Sequence, residues 1–64
     1  MRLSKRQLEV LQGAADGETV KQTADRLGIS KYTTDQTILV ARKKLQAANK
    51  AHAVAIAIRQ GEID

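Results

Sequence analysis

The stretch VKQTADRLGISKYTTDQTILVARKKL, Val20 to Leu45, decides the fold. Two segments with helical spacing meet at one glycine, Gly28, and Ser30 follows two residues later. The first segment predicts a helix over Val20 to Leu27. Thr19 to Gln22 forms its capping box, and Thr23, Ala24 and Leu27 form its inward face. Gly28 supplies the positive φ that a tight turn needs, and Ile29 is the apolar plug of that turn. Ser30 then caps a helix over Lys31 to Gln46, with Thr34, Ile38, Ala41 and Leu45 facing inward. At about 100° per residue the opposite face carries Tyr32, Gln36, Leu39, Val40 and Lys43. Ala24, four residues before Gly28, is small enough to let the two helices approach closely. Together these features read as a helix-turn-helix.

Outside that unit the chain predicts two more helices. Ser4 and Gln7 make a capping box for a helix over Lys5 to Ala15, and Leu3 and Leu8 form its hydrophobic staple. Leu8, Leu11 and Ala15 form its stripe, widened by Val10; Gly13 weakens it slightly, and Asp16-Gly17 ends it. Asn49 caps a last helix over Lys50 to Gln60, stopped by Gly61. Its centre, AHAVAIAI, alternates like a strand, but the alanines, the cap and the length favour a helix. The expected fold is all-α, four helices around a central helix-turn-helix, with residues 1–64 as one domain.

Composition narrows the function. The 64 residues include no Cys and one His, His52, so neither a disulfide nor a metal site is expected. One histidine without a nucleophile or second base does not make a catalytic site, so no enzyme and no cofactor are expected. With no Phe or Trp and one Tyr, the core must be aliphatic. The net charge of +4 favours polyanions. No apolar run approaches the roughly 20 residues of a membrane span, and the amphipathic start with Glu9 is not a secretory signal. A cytoplasmic protein is expected, and the opening Met suggests a complete small chain.

The whole chain resembles LuxR/GerE-type DNA-binding domains. LSKRQLEVL is similar to their LT-x-RE-x-EVL opening, VKQTADRLGIS to NKEIA-x-x-LGIS, and ARKKL to the K-L ending of their recognition helix. NKAHAVAIAIRQGEI resembles their NR-x-x-AV-x-x-A-x-x-x-G-x-I tail. Sigma-factor region 4 shares the middle motif, but it lacks the Ala-rich fourth helix. The resemblance implies a four-helix domain that puts its third helix into the major groove of double-stranded DNA and dimerises through its fourth. Most such members carry this domain behind a sensory or receiver domain; this chain shows none, so a stand-alone member without a small-molecule or phosphorylation input is expected. Four positions depart from the family pattern: Thr23, Thr34, Asp35 and Thr37. Thr23 and Thr34 lie where the second and third helices meet, and a shared hydroxyl hydrogen bond between them is expected.

The candidate contacts follow from residue chemistry. Lys21, Lys31, Arg42 and Lys43 are candidate phosphate grips, with Lys44 and Lys50 behind them. Tyr32 is placed at the groove edge or against the second helix. Gln36 is the leading base reader, because its amide pairs bidentately with adenine; Thr33 and Leu39 suit a thymine methyl. Asp35 either accepts from cytosine or sits as an acid in the first turn of its helix. On the fourth helix, His52, Ile56 and Arg59 are the expected association surface. Ile56 is expected to point away from Val54 and Ile58, as an exposed apolar contact. Two functions follow: a DNA-reading regulator dimerising through the last helix, or an adaptor that binds another regulator or RNA polymerase. Asp35 and the apolar Leu39 and Val40 favour the adaptor; the basic charge and intact turn favour the reader.

Overall fold

The computed structural model describes residues 2–64. Four helices follow in order: α1 (Lys5–Ala15), α2 (Val20–Leu27), α3 (Lys31–Lys44) and α4 (Lys50–Arg59). No strand occurs among the described residues. Helices α1 and α3 each pack against all the others, while α2 and α4 lie on either side of them without touching.

The starts of the helices are fixed by side chains that satisfy orphan amides. Ser4 and Gln7 exchange bonds across the α1 start, with Gln7 N–H donating to Ser4 Oγ at 3.2 Å and Ser4 N–H to Gln7 Oε1 at 2.8 Å. Thr19 and Gln22 do the same for α2. Ser30 and Asn49 accept from Thr33 and His52 at the α3 and α4 starts.

The ends share one device, a pair of backbone bonds wrapped around a residue with positive φ. At the close of α2, Gly28 (φ 70°) donates to Asp25 and Ile29 donates to Ala24. Helix α3 ends the same way around Gln46 (φ 54°), whose N–H donates to Lys43 while that of Ala47 donates to Arg42. The last helical residue is therefore Lys44, two short of the expected Gln46. A side chain in the left-handed region is strained, so Gln46 holds this conformation because the bonds around it impose it. Helix α4 stops at Arg59, one residue early, and Gln60 is its cap.

Two packing zones result. Leu3, Leu11, Ala41, Ala47, Ala53, Ala57 and Ile63 form one buried cluster joining α1, α3 and α4, with Leu8, Ala15, Leu45, Val54 and Ile56 packed against it. On the helix-turn-helix side Val10, Thr23, Ala24, Thr34 and Ile38 are buried.

Three expectations need correction here. Thr23 and Thr34 share no hydrogen bond. The Thr23 hydroxyl donates to Glu18 Oε1 at 2.8 Å, and that of Thr34 to the Ser30 carbonyl at 2.9 Å. Each finds an acceptor close by in sequence, which leaves no orphan for the other to satisfy. Asp35 lies one position past the first turn of α3, which holds no acid. Ile56 is half-buried against the core, and the exposed isoleucine of α4 is Ile58, at 45% exposure. The buried line of α4 runs through Ala53 and Ala57. Val54 and Ile56 flank that line by about 80° on either side, and Ile58 lies about 120° from it. The smallest side chains, not the largest, mark the inward face.

Candidate nucleic-acid interface

The outward surface of α3 is a strip of exposed side chains: Lys31, Tyr32, Thr33, Asp35, Gln36, Val40 and Lys43. Tyr32 is 72% exposed and does not pack down onto α2; Val40 is 42% exposed. Leu39 is half-buried and presents only an edge. The strip stays outward because Thr34, Ile38 and Ala41 anchor the opposite side. The N-terminal half of the strip is braced by Ser30, whose hydroxyl donates to Thr33 Oγ1 at 2.9 Å. Thr37 adds a bond to the Thr33 carbonyl at 2.7 Å.

The cations around the strip are not equivalent. Lys21 is exposed but paired with Asp25 at 3.1 Å, one turn along α2. Arg26 grips Glu18 with two bonds, Nε to Oε2 at 2.9 Å and a second to Oε1 at 3.0 Å. Arg26 and the Thr23 hydroxyl beside it hold the Glu18 carboxyl below its ordinary range. The hydrogen bonds to Glu18 in turn raise Arg26. Arg42 is half-buried and donates to the carbonyls of Ala47 (3.3 Å) and Ala48 (3.5 Å), where it closes the turn between α3 and α4. That fastening turns its guanidinium away from the strip. Lys31 and Lys43 remain exposed, and neither forms an ion pair among the described residues.

Sequence reasoning missed one constellation, the clip between α1 and α2. A Cβ on Gly13 would stand 2.5 Å from Thr23 Oγ1 and 2.6 Å from Glu18 Oε1, so only glycine admits this pair. The signal was present as a glycine in mid-helix, which costs stability unless something approaches closely there. A second miss is the engagement of Arg42 with the backbone of the α3–α4 turn, which no spacing rule reveals.

On α4, His52 and Arg59 are exposed as expected. The His52 imidazole accepts the Ala48 N–H at Nδ1, 3.0 Å, so it also braces the α3–α4 turn. A shallow recess of about 470 Å³ between α1 and α4 is lined by Ala14, Ala15, Lys50, Ala51 and Val54. Lys50 is the one ionisable side chain in its lining. No cluster of metal-ligating side chains occurs among the described residues, and no helix of them is long and apolar enough to cross a membrane.

Charge is distributed unevenly along the chain. Residues 36 to 61 carry Arg42, Lys43, Lys44, Lys50 and Arg59 and no acid. Residues 2 to 8 carry Arg2, Lys5 and Arg6, again with no acid. All seven acids lie elsewhere, five of them between Glu9 and Asp35, where only Lys21, Arg26 and Lys31 balance them.

Comparison with known proteins agrees with this geometry. The family described as "Bacterial regulatory proteins, luxR family" (GerE) matches residues 1–57. The chain is 38% identical over 58 residues to the transcriptional activator protein BjaR1 of Bradyrhizobium diazoefficiens, covering 91% of this chain and 24% of that protein. It is 40% identical over 62 residues to the HTH-type quorum sensing-dependent transcriptional regulator RpaR of Rhodopseudomonas palustris, covering 97% of this chain and 26% of that one. The chain thus spans about a quarter of the length of these relatives. Four capped helices, the turn at Gly28, the exposed α3 strip and the family match lead to one assignment: the chain belongs to the luxR family of bacterial regulatory proteins, a family of DNA-binding transcription regulators rather than enzymes.

Proposed function

We propose that this chain regulates transcription by laying α3 in the major groove of double-stranded DNA, as a homodimer joined through α4. The observation that carries the reading is the α3 strip, exposed along its whole length on a helix whose other side is anchored in the core. Gln36 is the base reader and Thr33 a methyl contact; Leu39 contributes its edge and Asp35 accepts from cytosine N4. Lys31 and Lys43 grip phosphate, Tyr32 meets the groove edge, and Lys21 exchanges Asp25 for a phosphate. Arg42 acts from behind by fixing the turn to α4.

The test is selection of a binding site from random duplexes, followed by a salt titration. The logarithmic slope should be about −0.9 per phosphate contact. Gln36→Ala should change the selected sequence, and Lys43→Ala should weaken binding to every sequence alike. Equal preferences for Gln36→Ala and wild type would remove Gln36 from the readers.

Dimerisation through α4 rests on Ile58, exposed beside Arg59, and on the recess next to Val54; Ile56 adds only its half-exposed flank. Ile58→Glu should leave the helical circular dichroism intact and reduce the sedimenting mass. Ile56→Glu should lower stability by about 2 kcal/mol, the value of one large aliphatic side chain. The opposite pattern would return the interface to Ile56. A second reading, an adaptor for another regulator or RNA polymerase, draws on Tyr32 and Val40 exposed beside Asp35. Duplex selection that returns no enriched site would favour it.

A further inference from the structure

The geometry points to a second phosphate-gripping surface, formed by Arg2, Lys5 and Arg6 ahead of and in α1 together with Lys43 and Lys44 at the end of α3, that holds the DNA strand opposite the one met by the start of α3. It rests on the groove-reading role proposed for α3.

Two contacts bring the segments together. Lys44 Nζ donates to Gln7 Oε1 at 3.1 Å, from the last turn of α3 to the first turn of α1. Leu3 is buried in the same cluster as Ala47, which fixes the chain between Arg2 and Ser4. Arg2, Lys5 and Arg6 are exposed, and none forms an ion pair among the described residues. The clustered charge is of one sign, since residues 2 to 8 and 36 to 61 hold no acid.

Folding alone does not account for these cations. The α1 start is already satisfied by its Ser4–Gln7 capping box. Cations in the first turn oppose the helix dipole, so Lys5 and Arg6 are mildly unfavourable where they stand. Their place on the surface is explained by an anionic partner.

The dimensions select that partner. Helix α3 has 14 residues and is about 21 Å long, while the major groove is about 12 Å wide. A helix lying across the groove therefore reaches the phosphate walls at both ends. At the starting end Lys21 is committed to Asp25 and Arg26 to Glu18, which leaves Lys31 as the uncommitted cation, and Asp35 adds repulsion. At the far end Arg2, Lys5, Arg6 and Lys43 are exposed and form no ion pair among the described residues, and Lys44 is held only by the neutral Gln7 amide. The grip is accordingly lopsided, with most of the counterion release at the far wall.

The experiment measures affinity against salt for a selected duplex. The probes are wild type, Arg2→Gln, Lys5→Gln and Arg6→Gln singly and together, Lys5→Arg, and Lys21→Gln. Each lost contact should flatten the slope by about 0.9. The triple variant should lose about two orders of magnitude in affinity at 0.1 M salt while selecting the same sequence. Lys5→Arg should keep the wild-type slope, and Lys21→Gln, whose contact must first displace Asp25, should flatten it by no more than a single change at Arg2, Lys5 or Arg6. Thermal melting by circular dichroism should be unchanged or slightly raised, because the dipole conflict is removed. A wild-type slope in the triple variant, with tight binding retained, overturns this surface and leaves α3 reading intact. Absence of duplex binding by the wild type at 0.05 M salt overturns both.

Discussion

The two sides of this small domain are stabilised by different means. On the helix-turn-helix side, polar groups define the packing: Glu18 gathers Thr23 and Arg26, Gly13 makes room for them, and Thr34 returns its hydroxyl to Ser30. On the α4 side the seam is aliphatic and small, with Ala41, Ala53 and Ala57 fully buried between larger residues. The first is specific through hydrogen-bond geometry, which tolerates volume change poorly at one glycine. The second is specific through absence of volume at several alanines. In a chain of 64 residues without cysteine, neither side has much stability in reserve.

The sharpest way to break the comparison is to add volume on the α4 side. Ala57 is fully buried, so Ala57→Leu inserts three carbons where there is no room. The expected loss is about 3 kcal/mol, seen as a fall in thermal midpoint. A variant as stable as wild type would mean that α4 slides freely on α1 and α3.

Gly13→Ala is the corresponding change on the other side, with an expected loss of about 1–2 kcal/mol. Here the obstacles are two side chains, Thr23 and Glu18, so Thr23→Ala in the same chain should recover part of the loss. A double-mutant cycle in urea should show coupling of at least about 0.5 kcal/mol. Additive losses would mean that the clash is relieved elsewhere.

The smallest expected effect is a pH dependence confined to the polar side. The folded Glu18 carboxyl titrates below its ordinary value of 4.5. Its contribution is therefore complete above that value and is lost as the pH falls from there through the lower folded value. Glu18→Gln should flatten the stability profile within that acid window, and Ala57→Leu should leave the window's shape unchanged. Identical acid profiles for wild type and Glu18→Gln would remove the clip as a source of stability.

The same division explains what was legible in the sequence. Caps and glycines are local chemistry, so Ser4, Thr19, Ser30 and Asn49 gave all four helix starts, and Gly28 gave the turn. The end of α3 was read two residues late because Gln46 occupies a position that usually announces itself as glycine. The inward face of α4 was assigned from its largest residues, although its alanines make the closest approach. On the candidate interface, exposure of Tyr32, Gln36 and Lys43 followed from helical phase alone. The engagement of Arg42 with Ala47 and Ala48 did not, because it depends on how the chain turns after the helix.

Tyr32 has a practical consequence of its own. It is the chain's sole tyrosine, and there is no tryptophan, so the near-ultraviolet absorption and emission come from one ring. That ring stands 72% exposed on the α3 strip. Unfolding moves it from water to water, and its emission should scarcely respond. A duplex laid against α3 changes its surroundings directly. Folding is thus visible in the helical far-ultraviolet signal and binding in the tyrosine signal, two optical channels that the placement of one side chain keeps apart.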